Sequence, residues 1–265
     1  MLPRRIFFRI ALIAGFFCLA AGPGCFAQND DASQSENAVT GDPTETAGDS
    51  AESQKKGLLR HAVFFSFKDS ASEADVQEVV DVFAALPSKI DSIIDFQYGT
   101  NNSPEGLDDG FTHCFLLTFA DEAGRKEYLP HAAHKAFGDV LRPHMKDVFV
   151  LDYWGDPSQP KPEKSLLHAV FFDFKDDASP EKIKQVEEAF AALPEKIDTI
   201  RAFEWGTNNS PESHDDGFTH CFLVTFDSEE GRAAYLPHPD HQAFVDVLKP
   251  VLEKARVLDF WAAQP

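Results

Sequence analysis

Four cysteines in 265 residues are too few for a disulfide scaffold, and two of them, Cys18 and Cys25, fall in an apolar leader. The other two, Cys114 and Cys221, stand at matching points of two similar segments. They read as separately buried thiols, with an inter-repeat bridge as the alternative in an oxidising compartment. Basic residues are also scarce: 24 Lys and Arg face 44 Asp and Glu, for a formal charge of −20. Without clustered Lys and Arg to displace phosphate counterions, nucleic-acid binding is excluded, and attraction to an anionic membrane surface is disfavoured. A long apolar run is missing too. Residues 10–21 are apolar but too few to span a bilayer, and they follow a basic stretch that ends at Arg9. That pattern predicts a signal peptide over residues 1–27, cleaved near Ala27, and hence export to the periplasm or the extracellular space. Acylation at Cys25 is the alternative, but Gly22-Pro23-Gly24 matches a lipobox poorly. Residues 28–57 contain no aromatic residue and are dominated by acidic and small side chains, which predicts a disordered acidic spacer.

What the chain has in quantity is repetition. Residues 61–154 recur as 168–261 at a constant offset of 107, without an insertion or deletion. Roughly 60% of the aligned pairs are identical, so the unit was duplicated recently and is long enough to be a domain. The boundaries predicted are 58–155 and 165–262, joined by a stiff Pro-rich linker at 156–164. The 25 phenylalanines require well-packed cores and allow an apolar cavity.

Each unit begins with an apolar strand, 59–67 or 166–174. Alternation places Leu59, His61, Val63, Phe65 and Phe67 on one face and Ala62 and Phe64 on the other. Ser72 and Ser179 cap helices that end at Leu86-Pro87 and Leu193-Pro194. A strand over 93–98, a Gly-Thr-Asn-Asn-Ser-Pro loop and a strand over 111–119 follow. Two helical stretches, 124–128 and 135–145, then precede a last strand at 149–154. The order β-α-β-β-α-β is the ferredoxin-like arrangement. Helices cover one face of each sheet, and the other face needs a partner sheet.

Five motifs occur in order, twice: H-x-V-x-F-x-F-K, G-x-N-x-S-P-E, D-G-F-T-H, Y-L-x-H-x-x-H and a final L-D-[YF]. Together they resemble the stress-responsive A/B barrel (Dabb) domain over nearly all of both units. The resemblance implies an α+β fold in which two such units pair sheet to sheet. Here the pair is fused into an intramolecular dimeric α+β barrel, with the partner at an effective concentration of roughly millimolar or more. Larger oligomers, as some stress-related relatives form, are a further possibility that the resemblance raises.

Strand parity sets His61 and His113, and their counterparts His168 and His220, on the Phe-rich face under the helices. Tyr128, His131 and His134 arrive from the second helical stretch, and Tyr235, His238 and His241 do so in the second unit. This predicts a His/Tyr-lined pocket in each repeat that binds a small apolar or aromatic molecule, with His61, His113, His131, His168, His220 and His238 as ligand contacts. An imidazole can move a proton near neutral pH and a phenol can donate to a developing oxyanion. The resemblance to plant polyketide cyclases implies Tyr128 with His134, and Tyr235 with His241, as the residues of a cyclase or isomerase acting next to a carbonyl. Two bland readings stand beside these: histidines that merely bond within a core, and a non-catalytic structural stress protein. No metal site and no cofactor is predicted, because no Cys or carboxylate completes a ligand set around the histidines.

Overall fold

β1 (Leu58–Phe67) is buried on both faces, as its near-continuous apolar run requires. The computed structural model describes residues 57–160, 162 and 164–265; the expected signal peptide, the expected cleavage point and the expected spacer up to residue 56 lie outside the described residues. After β1 the chain turns into α1 (Glu73–Ala84), whose start is fixed by a reciprocal capping box between Ser72 and Asp75. β2 (Asp95–Thr100) and β3 (His113–Phe119) follow, then α2 (Glu122–Tyr128), α3 (Ala132–Leu141) and β4 (Met145–Gly155). The second repeat gives β5 (Leu166–Phe174), α4 (Pro180–Ala191), β6 (Ala202–Thr207), β7 (His220–Phe226), α5 (Glu229–Tyr235), α6 (Pro239–Leu248) and β8 (Leu252–Trp261). The two sheets are antiparallel, ordered β2-β3-β1-β4 and β6-β7-β5-β8, so the ferredoxin-like α+β fold occurs twice.

Three local expectations need correction. Residues 142–145 are not helical: α3 ends at Leu141, Pro143 disfavours helix in the residue before it, and Met145 already pairs with Phe67 in β4. The strand expected from residue 111 starts at His113, because the Phe111 amide donates to Asp108 O in a turn where Asp109 (φ 50°) and Gly110 (φ 85°) are left-handed. Ser179 does stand at the N-cap of α4, but its side chain makes no capping bond there.

Three apolar layers result. Each repeat packs helices on one face of its sheet, through Val63, Phe65, Phe83 and Phe137 in the first and Val170, Phe172, Phe190 and Phe244 in the second. Between the sheets lies a third layer, with Phe64, Phe149, Leu151, Phe171, Leu258 and Phe260 among its members. The missing partner sheet is therefore the other repeat. Cys114 and Cys221 are free thiols buried in this layer, where burial raises both well above the ordinary thiol range. The barrel closes at two seams, where β2 meets β8 and β6 meets β4. At the first seam Tyr98 and Ala263 exchange backbone hydrogen bonds of 3.0 and 2.9 Å. Both seams need glycine: a Cβ on Gly99 would lie 2.5 Å from Trp261 O, and one on Gly206 would lie 2.9 Å from Tyr153 Cβ.

Candidate functional site

β1 carries His61 onto the helix-covered face, and the β1–β4 register sets Asp152 directly beside it. Asp152 is fully buried, and its Oδ1 accepts a 2.6 Å hydrogen bond from His61 Nδ1. Its Oδ2 accepts one of 2.6 Å from Arg125 Nη1, on α2. The same Arg125 nitrogen donates to Asn209 O and Oδ1 at 3.0 and 2.7 Å, and Asn209 belongs to the other repeat. Asp152 thus ties one strand, one helix and a loop from across the seam. Burial works against the His61 imidazolium, but the Asp152 charge and hydrogen bond, with help from Glu212, outweigh it and raise its pKa. Burial likewise opposes the Asp152 carboxylate, yet His61 and Arg125 hold it below the ordinary range. The pairing favours the imidazolium form of His61, whose remaining donor is Nε2.

Tyr128, the last residue of α2, is buried with its ring 5.5 Å from His61 and 4.2 Å from His134. Its Oη has no hydrogen-bond partner among the described residues. Burial, followed by the charges of Glu212 and Asp152, raises the phenol well above its ordinary pKa, so it stays a proton donor. His134 Nδ1 lies 3.0 Å from Leu129 O, a carbonyl that can only accept, so Nδ1 carries the proton. Burial lowers the pKa of His134. In its neutral form Nε2 is then a bare lone pair.

These side chains edge a cavity of about 280 Å³ between the sheet and α3. Its apolar walls come from Val63, Phe65, Phe83, Phe137, Leu141, Met145 and Val150, and its polar end from His61, Tyr128 and His134. Glu212 and His214 also line it, and both come from the second repeat. Glu212 Oε1 is 3.8 Å from His61 Nε2 and has no hydrogen-bond partner among the described residues. The site is therefore built by both halves.

The second copy repeats the frame. His168 Nδ1 lies 2.7 Å from Asp259 Oδ1, and Arg232 Nη1 donates to Asp259 Oδ2 at 2.8 Å and to Asn102 O and Oδ1 at 3.2 and 2.8 Å. Tyr235 lies 5.8 Å from His168 and 4.3 Å from His241, ring to ring. Glu105 takes the place of Glu212, at 3.9 Å from His168 Nδ1, and burial raises its carboxyl pKa. The surroundings differ. Val245 stands where the first cavity has Gly138, and Leu107 where it has His214.

The sequence-predicted residues therefore divide. His61, Tyr128 and His134 converge, as do His168, Tyr235 and His241. His113 does not join them: it pairs with Phe65 while His61 pairs with Leu117, four residues back along the strand, or about 13 Å. His113 packs instead against Phe67, with ring centroids 5.0 Å apart, and does not line the cavity. His220 faces Glu187 at 3.1 Å and stacks beside Trp205. His131 and His238 cap α3 and α6, accepting at Nδ1 from the Ala133 and Asp240 amides, so their ring nitrogens serve the helix ends. Asp152, Arg125, Asn209 and Glu212 went unnamed as site residues, although each is identical in both repeats and Asp152 interrupts an apolar strand. Among the described residues, no three His, Cys, Asp or Glu side chains gather as a metal site needs.

Fold and site together define a tandem α+β barrel with a buried His–Asp–Arg–Tyr frame in each half. Residues 59–155 and 166–262 both match the family model described as the stress responsive A/B barrel domain, and the chain belongs to that family. Among similar proteins is the stress-response A/B barrel domain-containing protein HS1 of Arabidopsis thaliana, 39% identical over 95 residues, or 36% of this chain and 87% of that protein. Olivetolic acid cyclase of Cannabis sativa is 28% identical over 95 residues, covering 36% of this chain and 94% of the cyclase. A solved anthrone oxidase-like protein superposes with a TM-score of 0.55 over 80% of this chain and 93% of its own, at 11% identity, and so shares the fold across both repeats.

Proposed function

We propose that this chain binds a small molecule in the cavity of its first repeat. The ligand has an apolar or aromatic body and a carbonyl or phenolic oxygen at its polar end. The observation that carries this reading is the Tyr128 hydroxyl, buried, unpartnered among the described residues and set at the wall of an apolar cavity. A buried donor without an acceptor costs free energy, and a ligand oxygen would remove that cost. His61, whose charged form Asp152 favours, offers a second donor from the same end.

The test is a thermal-shift screen of aromatic and apolar carbonyl compounds. A ligand at about one hundred times its Kd adds about 2.7 kcal/mol, or roughly 5–10 °C for a domain of this size. Tyr128→Phe is expected to reduce that shift. Gly138→Val, which brings in the second repeat's residue and narrows the cavity, is expected to abolish it. A broad library that moves Tm nowhere would overturn the reading.

A second reading, proton transfer next to the ligand's carbonyl, is favoured by the tautomer of His134. Its Nε2 lone pair can take a proton while Tyr128 donates to the developing oxyanion. The name of olivetolic acid cyclase, similar over most of its own length, supports that chemistry. We also propose that the protein is exported. The leader composition supports this, and N-terminal sequencing of the exported protein is expected to begin at Gln28. Recovery of the chain inside the cell with residues 1–27 attached would count against export.

A further inference from the structure

Two near-identical faces ordinarily meet self-complementarily, with residue i opposite j and j opposite i. At both ends of this pseudo-twofold interface the reciprocal contact has been replaced. At one end Arg60 Nε and Nη2 donate to Glu204 Oε1 and Oε2 at 2.8 and 3.1 Å, and Tyr153 Oη donates to Oε1 at 2.9 Å, all of them buried. At the 107-residue offset, Arg60, Glu204 and Tyr153 correspond to Leu167, Gln97 and Phe260, which carry neither charge nor phenol. Arg60, Glu204, Leu167 and Gln97 all line one cavity of about 300 Å³, so the two sets face each other across the axis.

At the other end Arg256, only 5% exposed, donates from Nε and Nη2 to Asp109 Oδ2 at 2.9 and 2.8 Å, and from Nη1 to Asp216 Oδ2 at 2.8 Å. Asp109 and Asp216 are counterparts of one another. The guanidinium also lies 4.3 Å from the ring centre of Phe149, which is the counterpart of Arg256 itself. One cation therefore sits where two copies of the same residue would otherwise meet.

We infer that the two halves form an obligate complementary pair: each interior face accepts the other half and rejects a second copy of itself. Two first halves would bury two Arg60 side chains opposite Gln97, each losing the Glu204 carboxylate and keeping only the weaker influence of Asp95. Two second halves would leave Glu204 opposite Leu167, without a cation or phenol, and would crowd two Arg256 guanidiniums, each with its Asp216, into the space that one Arg256 fills beside Phe149. Unpaired buried charge is strongly penalised, so self-pairing is blocked by repulsion and desolvation as well as by the loss of the good contacts. The partner that fits this surface is the other half, from the same chain or from another copy.

A protease site placed in the 156–164 linker allows the intact folded protein to be cut, unfolded in urea and refolded with its halves free to choose. Native mass spectrometry is expected to find only mixed pairs. Indifferent faces would put about half of the dimers into self-pairs, and that result overturns the inference. In the uncut chain, Arg60→Leu and Glu204→Gln are each expected to lower Tm, while the double variant, which recreates the Leu167–Gln97 combination, recovers most of the loss. Strictly additive losses overturn the inference even where refolding fails. Adding Arg256→Phe to the double variant removes these charge differences and leaves only Tyr153 against Phe260 among the residues named, and the cut, refolded triple variant is expected to form self-pairs. Its continued refusal to do so would show that these residues are not the device.

Discussion

Asp152→Ala is expected to cost about 3–5 kcal/mol, because it leaves the buried His61 and Arg125 charges uncompensated and frees the loop that Arg125 holds through Asn209. At roughly 2–4 °C per kcal/mol, Tm falls by roughly 6–20 °C in a thermal melt. Asp152→Asn separates charge from shape. Without the carboxylate, burial is the largest influence left on His61 and lowers its pKa below the ordinary 6.5, which an NMR titration of the imidazole measures directly. The pH dependence has a definite sign. His61 has a raised pKa in the folded state, so its contribution is complete below 6.5 and fades as pH climbs through the raised value. Asp152 is held low, so its contribution is complete above 3.8 and fades as pH falls through the lowered value. The Tm gap between wild type and Asp152→Asn is therefore expected to be widest from about pH 4 to 6.5 and to narrow towards alkaline pH. A gap that widens towards alkaline pH would contradict the ion pair.

Gly99→Ala and Gly206→Ala are expected to open the barrel seams. The new methyl at Gly99 meets backbone, at 2.5 Å from Trp261 O and 3.1 Å from Phe260 Cβ, so a strand has to move. At Gly206 it meets Tyr153 Cβ at 2.9 Å and Trp154 O at 3.3 Å. Overpacking of this kind costs about 1–3 kcal/mol per site, or roughly 5 °C, and the double variant loses more. Hydrogen exchange at the Tyr98 and Ala263 amides, which are bonded across the first seam, should accelerate in Gly99→Ala. Gly138→Ala is the control. There an added Cβ meets only the flexible end of Arg142, at 3.3 Å, and Tm should hardly change.

Much of the fold was legible because its signals are periodic. The constant offset announced two equal units, and alternation in 59–67 placed His61, Val63 and Phe65 under the helices, where they are found. The helix expected to run to Met145 failed because the apolar spacing continues past Pro143, although the backbone does not. The site was legible only where local spacing governs it. Tyr128 and His134 lie on neighbouring short helices and meet. His113 shows the limit: parity gives a side chain's face but not its distance along the strand. Asp152 was hidden for the complementary reason, since its contact with His61 depends on the β1–β4 register, which spacing within one strand does not encode. Arg125 finds Asn209 at a separation of 84 residues, across a seam that has no local signature.

The exchange of loops at the two sites also bears on how the second copy has aged. Asn209, Glu212 and His214 serve the cavity of the first repeat, so a second half whose own cavity fell silent would still be needed to finish its neighbour's. The constraint falls on the loop residues that reach across, above all Asn209 and Glu212. Asn-Asn-Ser-Pro-Glu is identical in the two copies, while Gly138 corresponds to Val245 and Leu107 to His214. A redundant gene fragment can be lost without trace, whereas one that completes the site of its twin cannot.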